Sequence, residues 1–151
     1  MQSHVLKLQI LTIGKPRLPF ARAGVEEYAP RLGPWGGVEM ESLKAGTREQ
    51  ESAALLARSE GCLRVVLDER GEALTSRGLA AKITAWEQAR HKRVAFLIGG
   101  ADGHTDALRG KADFRWSLSP LTLQHEFALV LVLEQLYRAR TLNAGLPYHR
   151  D

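Results

Sequence analysis

Short runs of β-branched residues and leucines alternate with longer segments of helical spacing, and this alternation limits the possible folds more than any other feature. Val5–Ile13 (VLKLQILTI), Val38–Leu43, Leu63–Leu67 (LRVVL), Arg93–Ile98 (RVAFLI) and Phe114–Leu118 read as strands. Phe20, Ala21, Gly24, Val25 and Tyr28 fall on one helical face, predicting a helix over Phe20–Ala29. Pro30, Gly33, Pro34, Gly36 and Gly37 then predict a loop. Thr47, with Gln50 three residues on, makes a capping box for a helix to about Ser59, stopped by Gly61. Thr75 or Ser76 caps a third helix whose apolar face is Leu79, Ala80, Ile83 and Trp86. A short helix around Asp106–Lys111 and a long one from about Gln124 to Leu142 complete the series. Strands alternating with helices of this length predict an α/β fold, with a mostly parallel sheet flanked by helices.

At 151 residues, the chain has the size of one domain, and residues 1–151 are expected to form it. A chain of this length buries about 68–70% of the surface exposed when unfolded, so no disulfide or metal staple is needed. Cys62 stands alone, and there is no Cys/His quartet for structural zinc. An unpaired thiol suits a reducing cytoplasm, where the protein is expected to reside. The longest apolar run, Phe127–Leu133, is far short of the roughly 20 residues a membrane span needs, and Met1–His4 opens no signal peptide. The expectation is a soluble protein with no membrane partner and no metal. Lys and Arg number 21 against 17 Asp and Glu, a net charge of +4 that permits a nucleic-acid partner without requiring one.

Phe127–Leu133 has a different implication for assembly. Seven consecutive apolar residues cover every side of a helix. One sheet cannot cover them all, so a second subunit is expected to cover the rest, Val130 and Leu133 among them.

Ligands of open α/β sheets bind beyond the carboxyl ends of the strands. Two segments there stand out. Gly99-Gly100-Ala101-Asp102-Gly103 lets backbone approach a ligand closely, although the spacing matches neither a dinucleotide fingerprint nor a P-loop. As readily, it is a plain tight turn. Ser117–Leu123 mixes hydroxyls, a proline and leucines, which would give a flat heteroaromatic ligand an apolar slot. Equally, its leucines could plug the core while Thr122 caps the last helix. The tail Leu146–Asp151 has no periodicity and would ordinarily fray, yet Tyr148 could stack a base, Arg150 pair a phosphate and His149 move a proton. His125 reads as a capping-turn residue rather than a metal ligand. Glu134 is either a paired structural carboxylate or a site residue. Trp35, Trp86 and Trp116 read as core or interface, and Arg138 and Arg140 as a solvated helix end.

Four ordered motifs resemble the ribosomal RNA large subunit methyltransferase H family. They are Leu97–Gly103, Trp116–His125, Glu134–Ala139 and Pro147–Arg150. The family consists of small bacterial SPOUT methyltransferases. The resemblance implies a SPOUT fold in which the C-terminal segment forms a deep trefoil knot, an arrangement the usual rules of chain connection would not suggest. It also implies a homodimer that uses S-adenosyl-L-methionine to methylate N3 of a pseudouridine in helix 69 of 23S rRNA, on the assembled ribosome. Carried onto this chain, the cofactor site would comprise Leu67, Gly99, Gly100, Leu118, Ser119, Pro120, Leu121, Thr122 and Leu123. Substrate binding or catalysis would fall to Arg138, Tyr148, His149 and Arg150. In such a dimer the tail could reach the partner's site. The chain departs from the family at Leu129, where relatives often carry a basic residue. An RNA contact made there would be lost, and the leucine would add interface instead. Gln124 replaces a common proline. Two other functions fit less well: a SPOUT methyltransferase acting on tRNA, and a non-enzymatic RNA-binding dimer of the same fold, which would take up no cofactor.

Overall fold

Every strand pairing in the described part of the chain is parallel. The computed structural model describes residues 6–149. Strands β1 (Lys7–Ile13), β2 (Val38–Leu43), β3 (Leu63–Ala73), β4 (Arg93–Leu97) and β5 (Phe114–Ser117) lie in the order β2-β1-β4-β3-β5. Helices α1 (Pro19–Tyr28), α2 (Arg48–Arg58), α3 (Ser76–Gln88), α4 (Asp106–Arg109) and α5 (His125–Ala144) connect and flank them. A parallel sheet must be covered on both faces, and strand alternation supplies two cores. Leu8, Ile10, Val65, Val94 and Phe96 pack with residues of α3 and α5 on one face. Leu11, Ile13, Val66, Ala95 and Leu97 pack with Leu55 of α2 and Leu108 of α4 on the other. The expected face of α3, from Leu79 to Trp86, is buried in the first core. Among the described residues no helix is long and apolar enough to cross a membrane.

The caps follow the local chemistry. Both halves of the Thr47–Gln50 capping box form. Thr75, rather than Ser76, caps α3 by accepting the Gly78 N–H. Gln124 caps α5 through the Glu126 and Phe127 N–H groups, so Thr122 is not the cap. The expected Pro30–Gly37 loop is tighter than the proline and glycine count suggested: Pro30–Trp35 winds into a 3-10 helix that ends at Gly36, with φ of 91°.

The larger departure is in β3. It does not stop at Leu67 but continues to Ala73, and its register against β5 slips. Leu67 and Glu72 both face Trp116, so Asp68–Gly71 bulges out of the ladder. Gly71 permits this bulge, because a Cβ there would lie 2.6 Å from the Arg115 carbonyl carbon and oxygen.

Helix α5 is covered on more sides than its sequence suggested. Leu129, Val132, Leu133 and Leu136 belong to the chain's own core. Val130 faces α1, where a Cβ on Gly24 would lie 2.9 Å from its methyl groups. Leu133 and Val130 are therefore occupied within one chain, and Leu129 adds to the core rather than to an interface. What stays exposed on this side is Phe127 and Leu131, with Phe20 of α1 stacked 4.3 Å from Phe127 between ring centroids.

Candidate active site

At the β3 bulge and the carboxyl ends of β4 and β5 the chain opens into a cleft of about 450 Å³. Three stretches of chain wall it: Leu67–Arg70 with the β3 bulge, Ile98–His104 after β4, and the loop after β5. Of the residues assigned to a cofactor site, Leu67, Gly99, Gly100, Leu118, Ser119, Leu121, Thr122 and Leu123 line it. Pro120 does not; it is exposed at the turn of the loop. The loop holds its shape internally, with the Ser117 hydroxyl donating to the Ser119 carbonyl (3.1 Å) and Leu121 N–H donating to Ser119 Oγ (3.0 Å). Thr122 Oγ1 donates to Glu69 Oε2 at 2.6 Å, tying this loop to the β3 bulge.

The two glycines are needed for a reason other than room for a ligand. A Cβ on Gly99 would lie 3.0 Å from the His104 ring, and one on Gly100 would lie 3.0 Å from Glu51 Oε1 and 3.5 Å from Ile13. The loop packs tightly against the protein on the side a side chain would occupy. Its backbone is thereby left to form the cleft wall.

Behind the wall sit charges that the sequence did not single out. Asp68 is buried and accepts from Arg70 N–H (3.0 Å) and Arg109 Nε (3.0 Å). Burial alone would raise its pKa, but these donors and the neighbouring guanidinium groups outweigh it and hold the carboxyl below the ordinary aspartate value. His104 is 3% exposed. Its ring nitrogens face the Leu97 and Leu67 carbonyls without completing a hydrogen bond of normal geometry. Burial, with Arg109 adding to it, pushes the imidazole below its ordinary pKa and favours the neutral ring.

The tail residues form a separate cluster. The chain turns at Gly145 (φ 71°) and Leu146 N–H returns to the Thr141 carbonyl. Tyr148 then packs against α5: its hydroxyl donates to Glu134 Oε2 at 2.8 Å, and its ring lies 4.6 Å from that of Tyr137. Arg138 lies over the Tyr148 ring at 4.8 Å and donates to the same Glu134 oxygen from Nη2 (2.7 Å) and Nε (3.2 Å). Burial and the Glu134 carboxylate push the Tyr148 phenol far above its ordinary pKa. Tyr148 is thus ordered, not frayed. Arg138 and Arg140 are not a solvated helix end either, because Arg140 is buried with Nη2 on the Leu6 carbonyl (2.9 Å) and Nη1 on Glu87 (3.2 Å). Neither Arg138, Tyr148 nor His149 lines the cleft of the same chain. Arg150 lies outside the described residues.

The sequence matches the family described as "Predicted SPOUT methyltransferase" over residues 6–149. The chain belongs to the SPOUT methyltransferase family. Curated relatives match almost end to end. A "Ribosomal RNA large subunit methyltransferase H" of Thermus thermophilus is 49% identical, covering 96% of this chain and 99% of the relative. One of Deinococcus radiodurans is 42% identical over the same shares. A solved structure, a probable methylase family protein from Haemophilus influenzae, superposes with a TM-score of 0.57. It is 11% identical, covers 99% of this chain and 72% of its own, and supports the fold alone. The parallel sheet with helices on both faces is therefore that of a SPOUT methyltransferase.

Among the residues lining this cleft, Asp68, Glu69, Arg70, His104 and Arg109 were not singled out by sequence reasoning. Asp68 carried a usable signal, since it directly follows a strand end that was itself assigned to the site. His104 and Arg109 gave none, because one closes a glycine turn and the other ends a short helix. Ile98, Trp116, His125 and Ala128 also line the cleft. His125 is the first residue of α5, in its capping turn next to the Gln124 cap, and it lines the cleft.

Proposed function

We propose that this SPOUT methyltransferase transfers a methyl group from S-adenosyl-L-methionine to N3 of a pseudouridine in helix 69 of 23S rRNA, acting as a homodimer on the assembled ribosome in the cytoplasm. The observation that carries the reading is the near end-to-end match, at 42% and 49% identity, to relatives named ribosomal RNA large subunit methyltransferase H. The threading of the C-terminal segment into a trefoil knot is part of the same reading.

The cleft suits the cofactor by its donor set. Leu67, Leu118, Leu121 and Leu123 offer aliphatic walls to a purine, and the backbone of residues 99–103 offers hydrogen-bonding groups beside them. Glu69 and Asp102, both exposed at the cleft, suit a cationic ligand. When bound, S-adenosyl-L-methionine supplies an already activated methyl group, so the protein's task is alignment and management of the N3 proton. Leu67, Gly99, Gly100, Leu118, Ser119, Leu121, Thr122 and Leu123 would hold it, with Pro120 shaping the turn. Arg138, Tyr148, His149 and Arg150 would bind the RNA. Tyr148 stays a neutral phenol committed to Glu134, which leaves the His149 imidazole as the tail group suited to take the N3 proton.

Among the described residues the tail and the cleft do not meet within one chain, which is what supports a tail serving the partner's cleft. Phe20, Phe127 and Leu131, at 39–52% exposure, supply the apolar face for such a dimer. Leu131→Asp, whose site is exposed in the single chain, should yield a folded monomer in sedimentation.

The deciding experiment incubates the purified protein and S-adenosyl-L-methionine with ribosomes, free 23S rRNA and tRNA, then maps methyl groups by mass spectrometry. Methylation of the helix 69 fragment, on ribosomes above free RNA, is expected. Methylated tRNA would overturn the substrate, and an absence of cofactor uptake in calorimetry would leave only an RNA-binding dimer.

A further inference from the structure

We infer that Glu134 is a positioning residue for methyl transfer, because its single carboxylate fastens both Arg138 and the C-terminal tail to α5. The inference rests on the reading of the tail as the RNA side of the site.

The contacts at Glu134 are saturated. Oε2 accepts Arg138 Nη2 at 2.7 Å, Arg138 Nε at 3.2 Å and the Tyr148 hydroxyl at 2.8 Å. Oε1 accepts Gln135 Nε2 at 2.7 Å, and Gln135 Oε1 in turn accepts the Ser76 hydroxyl of α3 at 2.6 Å. The chain of bonds therefore runs from α3 through Gln135 and Glu134 to the tail. The Glu134 side chain is 17% exposed, and such charge-assisted bonds are the strong kind. Tyr148 is further held between Tyr137 and the Arg138 guanidinium.

Affinity for RNA alone would not favour this arrangement. A carboxylate beside Arg138 cancels a charge that a phosphate could use and adds repulsion of its own. What it gives in return is fixed geometry. A phenol hydroxyl bonded to Glu134 and also met by Tyr28 of α1, with a ring packed on two sides, leaves the tail a single place to stand. His149 follows Tyr148 directly in the chain, so the placement of Tyr148 sets the placement of His149. A proton acceptor works only within hydrogen-bond reach of its proton.

The test uses the full-length protein and three variants: Glu134→Ala, Glu134→Gln and Tyr148→Phe. Cofactor affinity is read by calorimetry, kcat and KM on ribosomes, and tail order by hydrogen exchange of the peptide containing residues 146–149. Glu134→Ala should speed tail exchange and lower kcat about 100-fold, the cost of a misplacement near 1 Å. Its cofactor affinity should stay within about twofold, as for independent sites. Glu134→Gln keeps an acceptor for the Tyr148 hydroxyl and should recover most of kcat. Tyr148→Phe keeps the ring packing and should fall between them. Unchanged kcat in Glu134→Ala, or an equal loss of kcat and cofactor affinity, would overturn the inference; the second result marks a merely structural residue. If the wild type methylates tRNA and not helix 69, the substrate reading falls, and the ratio of variant to wild-type kcat on tRNA still decides the role of Glu134.

Discussion

The Gly99–Gly103 and Leu118–Leu123 walls of the cleft are built largely from backbone and aliphatic side chains, and the β3 bulge adds the charged Asp68, Glu69 and Arg70. The tail cluster on α5 is instead held by one carboxylate, guanidinium groups and aromatic rings. The two differ in what they can tolerate. A wall made of peptide groups is insensitive to most side-chain exchanges but cannot admit a new Cβ where it packs on the protein behind it. A cluster made of side chains fails one functional group at a time. The regions should therefore respond to different kinds of substitution, and each should leave the other's activity intact.

The largest effect is expected from removing the tail. Truncation after Pro147 takes away Tyr148, His149 and Arg150 while leaving every cleft residue in place. Methyl transfer to ribosomes should fall by at least about 100-fold, the usual share of a positioned proton acceptor. Cofactor affinity in calorimetry should not change measurably. A truncated protein with wild-type turnover would dissolve the division of labour.

The opposite perturbation is Gly100→Val. The new side chain meets Glu51 Oε1 and Ile13, and Glu51 is itself buried with one oxygen accepting Gly46 N–H at 3.0 Å. The loop must shift, at a stability cost of about 3 kcal/mol, in the upper range for overpacking. Cofactor affinity should drop with it, while hydrogen exchange in the tail stays as in the wild type. Urea denaturation and calorimetry on one sample check both halves. A valine that lowers cofactor affinity with no loss of stability would mean that the glycine serves the ligand directly.

Next in size is Arg109→Ala, which strips one donor from buried Asp68. Losing a charge-assisted hydrogen bond at a buried carboxylate should cost about 2 kcal/mol at neutral pH. The pH dependence has a definite sign. Asp68 titrates lower in the folded chain than in the unfolded one. Its contribution is thus complete above the unfolded value, about 3.9, and is lost as pH falls through the lower folded value. Arg109→Ala should flatten that acid limb. Denaturation midpoints at neutral pH and below about pH 3.9 test this, and a parallel shift at both would exclude the coupling.

These contrasts also explain what could be read without the structure. Strands and loop positions follow from local runs, so the Gly99–Gly103 and Leu118–Leu123 walls of the cleft were legible. The β3 bulge was not, because it exists only in register with Trp116 on another strand. Nor was the role of Glu126, whose carboxylate accepts Arg17 and Leu18 N–H from a distant part of the chain. Glu134 was ambiguous for the same reason: its decisive partner, Tyr148, reaches it only after the chain reverses at Gly145. Phe127–Leu133 is legible as a helix with too many apolar sides, but the amount that α1 covers depends on a groove at Gly24. Local chemistry was visible, and closure by distant segments was not.

The smallest effect is expected at His104, and it sharpens the contrast from the cleft side. The ring packs against Gly99, where it supports the wall, and it lies beside Asp68 and Arg109. Its folded pKa is lowered by burial, so between that value and about 6.5 the unfolded chain binds a proton that the folded chain does not. Stability is therefore full above about pH 6.5 and declines as pH falls below it. His104→Leu removes the titration and should narrow the gap between urea midpoints measured at neutral and mildly acidic pH. The tail lies outside this linkage, so its hydrogen exchange should be the same in His104→Leu and wild type at either pH. If the midpoint gap is unchanged, the acid sensitivity of the fold belongs to another histidine. If the tail responds as well, the cleft and the tail are one cooperative unit rather than two.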